Sequence, residues 1–296
     1  MQNFPIFSSG TIAFYGYIEP NACFMPTPQT LVVDGQKIAI NVSGTGNKNI
    51  VFVHGASMSG ETWLPQLNDA ALKEKYRMFA IDLPGHGGSQ WLSHPDAYSL
   101  KELAHILRKT IEALQIAPFI LVSLSFGTCL AGEITPPPAN CLGIVLASPS
   151  VLNHQLDLSE VLTLGPMGHV IATESPSDDD LREYIRHSTT SEAVARTFYH
   201  SYRNTDPAFR KSIGNIMMNG AWTDELMNIK EWNVPVCVVF GKEERLVNTH
   251  YLDHYDPLWN GKVVMIENAG HVINEENPDA FNGMLDNFAS AVFKNF

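Results

Sequence analysis

Cations are scarce in this chain. Lys and Arg total 19 against 31 Asp and Glu, a formal charge of −12, and none of the 19 precedes Lys37. So acidic a surface repels nucleic-acid phosphates and anionic lipid headgroups, so neither is an expected partner. A start without a basic region does not read as a signal peptide, and no apolar run approaches the ~20 residues that span a bilayer. A cytoplasmic protein off the membrane is the expectation. Cysteine is limited to Cys23, Cys129, Cys141 and Cys237, scattered along the chain, which suggests reduced thiols. Metal motifs are missing as well. His250 and His254 lie four apart and could share a helix face, but no HExxH or HxHxDH pattern supplies further ligands, so they read as solvated surface. Ser43-Gly44-Thr45-Gly46-Asn47-Lys48 is glycine-rich without phosphate-loop spacing and reads as a turn between strands. No metal or organic cofactor is expected.

What is present is a rhythm of short apolar runs, each broken by a polar loop. With 296 residues and 45% hydrophobic content, the chain can bury one large core. Phe119-Ile120-Leu121-Val122 leads into Ser123-Leu124-Ser125-Phe126-Gly127, the layout of a nucleophile elbow, where a strand-to-helix turn holds one hydroxyl clear of the sheet. Ser125 fits better than Ser123, because its neighbours two positions away, Ser123 and Gly127, are small. Earlier, Ile50-Val51-Phe52-Val53 breaks into His54-Gly55-Ala56-Ser57, a loop able to aim N–H groups at a developing negative charge. Later, Val234 to Phe240 closes on Gly241-Lys242-Glu243-Glu244, and Val263 to Ile266 leads to Glu267-Asn268-Ala269-Gly270-His271. Serine, glutamate, histidine is the chain order of α/β-hydrolases, and each group follows a strand, where open parallel sheets place their ligands. Asp82, in the Gly- and Pro-rich loop Asp82 to Ser89, reads as a turn scaffold beside the pocket. Glu243 competes with Glu244 for the acid.

From about Thr30 to its end the chain resembles an α/β-hydrolase, and within that superfamily the metal-independent N-acyl-homoserine lactonases. The similarity rests on His54 to Gly60, Pro65-Gln66-Leu67, Asp82 to Gly87, Leu181 to Arg186, Asn204-Thr205-Asp206, Gly241 with Glu244, and Asn268 to His271. The resemblance implies a mostly parallel sheet flanked by helices, with an inserted helical cap. It implies a Ser125, His271 and Glu244 triad, Glu244 being preferred because its offset from Gly241 is the one that fold's acid occupies. Ala56 and Phe126 match the oxyanion-hole donors, and Tyr184 matches a cap tyrosine near the substrate carbonyl. Ala56 stands where the family pattern has asparagine, which keeps the backbone donor and removes any side-chain contact. The implied activity is lactone opening in N-acyl-homoserine lactones, hence quorum quenching. The alternatives are a carboxylesterase or thioesterase on acyclic acyl groups and a non-catalytic receptor. The expected partner is a small acyl ester or lactone.

The resulting plan is an N-terminal arm over 1–29, a hydrolase core over 30–150 and 233–296, and a cap over 151–232. Leu31 to Ile40 reads as a hairpin turning at Asp34-Gly35. A helix is predicted from Leu100 to Leu114, and the elbow helix must stop before Pro136. In the cap, Met167, Phe198, Tyr199, Tyr202, Met217, Met218 and Trp222 read as the lining of an adaptable acyl pocket or, for most of them, as the cap's own core.

Overall fold

A computed structural model describes residues 28–294 and 296. The expected arm therefore lies, over residues 1–27, outside the described residues, together with Cys23.

Eight strands form a single sheet: β1 (Pro28–Val33), β2 (Gln36–Ser43), β3 (Lys48–Val53), β4 (Tyr76–Ile81), β5 (Phe119–Leu124), β6 (Cys141–Ala147), β7 (Val236–Gly241) and β8 (Val264–Ile266). Their spatial order is β1-β2-β4-β3-β5-β6-β7-β8. The β1–β2 hairpin turns at Asp34 and Gly35, both at positive φ, and β2 runs antiparallel to β4; every later pairing is parallel. The inner strands are continuous apolar runs because helices cover both faces of a parallel sheet. Ile50, Val51, Phe52 and Val53 are fully buried, as are Ile120, Leu121 and Val122 beside them.

The helix Leu100–Ala113 starts where the Ser99 hydroxyl accepts the Glu102 N–H, and it buries Leu103, Ile106, Leu107, Thr110 and Ile111. The elbow helix Phe126–Glu133 ends three residues before Pro136. Gly127 makes that helix possible, since a Cβ there would come within 2.7 Å of the His54 carbonyl oxygen. Between β6 and β7 the sheet gives way to helices, among them Asp178–Ser188, Glu192–Asn204, Pro207–Asn219 and Glu225–Glu231. Pro278–Lys294 closes the chain against the sheet through Phe281, Leu285 and Phe288.

His54 ties the loop after β3 to the loop after β4. Its Nε2 accepts the Leu83 N–H at 3.0 Å while Nδ1 faces the Gly55 carbonyl oxygen at 2.8 Å, so the ring carries its one proton on Nδ1. A second proton would sit on the nitrogen that must accept. Burial drives the pKa from 6.5 down to about 4, against the smaller upward pull of the Gly55 carbonyl. Unfolded chains bind this proton below pH 6.5 and the folded chain resists it, so the stabilisation holds above pH 6.5 and drains away as pH falls toward 4. That is worth about 3 kcal/mol, at 1.36 kcal/mol per pKa unit. His54→Asn, with nothing to titrate, should flatten the urea midpoint against pH over this window; an unchanged slope would show that His54 is not the acid-labile group.

Candidate active site

Three side chains that are remote in sequence meet at the carboxyl ends of β5, β7 and β8. Ser125 sits alone between β5 and the elbow helix at φ 50°, ψ −121°, a region that costs a non-glycine residue about 1–3 kcal/mol. The fold holds it there from two sides. Its N–H donates to the Ala147 carbonyl of β6 at 2.9 Å, and its carbonyl accepts the Thr128 N–H at 2.8 Å. His271 Nε2 lies 2.8 Å from Ser125 Oγ, and His271 Nδ1 lies 2.8 Å from Glu244 Oε2.

The carboxylate is fixed just as firmly. Glu244 Oε1 accepts the N–H groups of Arg245 at 2.9 Å and Leu246 at 2.8 Å, and the side chain has no solvent exposure. Burial by itself would raise its pKa, but the His271 ring and the Leu246 N–H outweigh it and hold the carboxyl below the ordinary glutamate value. An ionised Glu244 places the imidazole proton on Nδ1, which leaves Nε2 free to accept from the serine hydroxyl. This arrangement can move a proton from Ser125 to His271. The histidine's own backbone is held from across the cap, its N–H donating to the Ser188 carbonyl at 3.1 Å at the end of the helix Asp178–Ser188.

A cavity of about 100 Å³ opens on Ser125 and His271. Its walls are largely aliphatic, with Leu158, Leu162, Leu164, Ile213 and Ile216 from the segment inserted between β6 and β7 and Leu100 from the core. Ala56 and Phe126 border it next to Ser125. Phe126 is the first residue of the elbow helix, so its N–H has no acceptor within that helix. Tyr184 also lines the cavity, from the same helix that ends at Ser188, and burial pushes its phenol pKa up.

Other candidates go elsewhere. Glu243 accepts the Ala269 N–H at 2.7 Å and does not reach the imidazole. Asp82 ties Gly60 and Gly88 together through their N–H groups at 2.6 and 2.8 Å, with burial raising its pKa to about 6. His250 and His254 are exposed, and among the described residues no group of three or more His, Cys, Asp or Glu is placed to hold a metal ion. Of the cap residues weighed as an acyl pocket, Met217 and Trp222 line the cavity. Tyr202 is buried in the cap and donates to the Val170 carbonyl, Phe198 packs edge-on against Tyr184, Tyr199 stacks with Arg182, and Met218 is exposed. Sequence reading missed Cys129, Ser150 and Glu225 in the cavity wall. Glu225 opens a short helix in an otherwise ordinary polar stretch, so nothing in the sequence marks it; Cys129 falls one turn past Ser125, which was a usable signal.

A family model described as the alpha/beta hydrolase family matches residues 50–284. Among solved structures, the N-acyl homoserine lactonase AidH complexed with N-butanoyl homoserine is 26% identical with a TM-score of 0.78, covering 88% of this chain and 96% of that one. A variant of AidH complexed with N-hexanoyl homoserine lactone gives the same identity and TM-score over 97% of its length. The esterase RhEst1 from Rhodococcus sp. ECU1013 shares the fold at a TM-score of 0.75 and 20% identity, over 90% of this chain and 99% of that one. A curated relative, monoacylglycerol lipase ABHD6 from Bos taurus, is 22% identical over 264 residues, 82% of this chain and 76% of its own. No helix among the described residues is long and apolar enough to cross a membrane.

Proposed function

Because this chain belongs to the alpha/beta hydrolase family and is a hydrolase of ester bonds, we propose that it opens the lactone ring of N-acyl-homoserine lactones with Ser125 as nucleophile, His271 as general base and Glu244 as the acid that orients it. The observation that carries this reading is the unbroken relay, 2.8 Å from Glu244 to His271 and 2.8 Å from His271 to Ser125, ending in an apolar cavity. Likeness to a lactonase seen with an acyl homoserine supports the substrate class.

In this mechanism His271 Nε2 takes the Ser125 proton as Oγ attacks the lactone carbonyl, and the ionised Glu244 stabilises the imidazolium that forms. Charge moves onto the former carbonyl oxygen. Ala56 and Phe126 border the cavity beside Ser125, and their N–H groups would receive it; losing one such donor costs on the order of 100- to 1000-fold in rate. The ring C–O bond then breaks, but the leaving alkoxide stays tethered to the acyl-enzyme and can close again. His271 must therefore protonate it promptly and then activate the water that releases the ring-opened acid.

Acyclic esters are the second reading, favoured by Ala56, whose methyl offers a lactone ring no polar side-chain contact. One panel separates the two: proton release from acyl-homoserine lactones of several chain lengths beside p-nitrophenyl esters. Ring opening at rates comparable with the esters is expected, whereas fast ester cleavage with inert lactones would discard the lactonase reading.

A further inference from the structure

Glu225 is a buried acid in the wall of an apolar cavity that opens on the nucleophile, and half of its carboxyl is unused. The residue has no solvent exposure, and its Oε2 accepts the Leu152 N–H at 2.7 Å. Its Oε1 is equally buried and, among the described residues, accepts no N–H or O–H donor, with the weakly donating Cys129 thiol as its neighbour. Leaving such an oxygen idle is unfavourable, because the buried atom has given up its water partners without replacement.

The carboxyl is held in place by close packing. A Cβ on Gly132 of the elbow helix would fall 2.4 Å from Glu225 Cβ, so only glycine at 132 lets the two helices approach this closely. Beside the carboxyl stands the Cys129 thiol, already turned to the Ser150 carbonyl oxygen at 3.1 Å. Cys129, Ser150 and Glu225 thus form one polar corner of a cavity whose lining is otherwise largely leucine and isoleucine. Burial first, then the nearby charge of Glu133, push the Glu225 carboxyl pKa well above the ordinary value. With Oε2 committed to accepting, the proton of the neutral acid falls to Oε1, which makes that atom a donor with no stronger acceptor among the described residues than the Cys129 sulfur.

We propose that Glu225 is a specificity residue, its Oε1–H donating to an oxo or hydroxyl oxygen carried part-way along the substrate's acyl chain. This deepens the proposed ester or lactone hydrolysis at Ser125 and rests on it. Cys129 lies four residues beyond Ser125 on the elbow helix, about 6 Å along its axis. An oxygen-bearing carbon about four or five bonds from the reacting carbonyl, at an advance of about 1.25 Å per bond in zigzag, would reach that depth. An unsubstituted alkyl chain would leave the corner unpartnered.

The test reads a ratio, so that damage to folding or to the relay cancels. The kcat/KM for p-nitrophenyl 5-oxohexanoate is divided by that for p-nitrophenyl hexanoate in the wild type, Glu225→Gln and Glu225→Leu. N-(3-oxohexanoyl)- and N-hexanoyl-homoserine lactone form a second pair. We expect a wild-type ratio of about ten for one added hydrogen bond, kept by Glu225→Gln, whose NH2 donates from the same place, and reduced toward one by Glu225→Leu. A wild-type ratio near one overturns the inference even if no variant folds. So does a ratio that Glu225→Leu leaves unchanged, the result a merely structural carboxyl would give, and so does its loss in Glu225→Gln. If neither lactone is opened while the ester pair behaves as expected, the lactone reading fails and the role of Glu225 stands.

Discussion

Ser125→Ala should lower ester and lactone hydrolysis on the order of 10⁵-fold or more, because removing the nucleophile of a working relay costs nearly as much as removing the whole relay. The same position offers a second, opposite readout. Ser125 is held at φ 50° by the Ala147 carbonyl and the Thr128 N–H whether or not it carries a hydroxyl. Alanine keeps the steric cost of that conformation; glycine does not. Ser125→Gly should therefore be as inactive as Ser125→Ala yet more stable than it by about 1 kcal/mol, after allowing for glycine's larger entropy in the unfolded chain. Urea midpoints of the two variants measure the difference. An active Ser125→Ala would remove the serine mechanism, and equal midpoints would mean that the turn stores no strain.

Glu244→Gln should cost about 10⁴-fold in kcat at neutral pH, although the side chain barely changes shape. The reason lies in the atoms around it. Oε1 accepts two backbone N–H groups, from Arg245 and Leu246, so the amide oxygen of glutamine must stay on that side. Its NH2 is then left facing His271 Nδ1. A donor there forces the imidazole to accept at Nδ1 and carry its proton on Nε2, which can no longer take the proton from Ser125, 2.8 Å away. Glu243→Gln is the control. Among the described residues that side chain bonds only the Ala269 N–H of the loop before His271, so its loss should stay below about tenfold, the effect of one weakened positioning hydrogen bond. Comparable losses in both variants, measured as kcat with a p-nitrophenyl ester, would contradict the assignment of Glu244 as the acid.

The chain order of strands and loops was legible because it is written in local patterns. Runs such as Ile50 to Val53 and Phe119 to Val122 are apolar at every position, as strands covered on both faces must be, and Asp34-Gly35 and Pro136 set their boundaries through backbone conformation alone. The serine, the histidine and two candidate acids could be found the same way, since each follows such a strand. Choosing Glu244 over Glu243 on residues alone was not possible. The two are adjacent, and which carboxylate meets the imidazole depends on how β7 and β8 end side by side and on the N–H groups of Arg245 and Leu246. The cavity wall was less legible still. Apolar residues of the inserted helices look alike whether they face the cavity, as Met217 does, or solvent, as Met218 does, because helical period sets a face without naming its neighbour. Glu225 is the extreme case: a glutamate in a polar stretch becomes a buried, half-partnered acid only when Gly132 lets its helix close onto the elbow helix, and burial is a property of packing between segments distant in the chain.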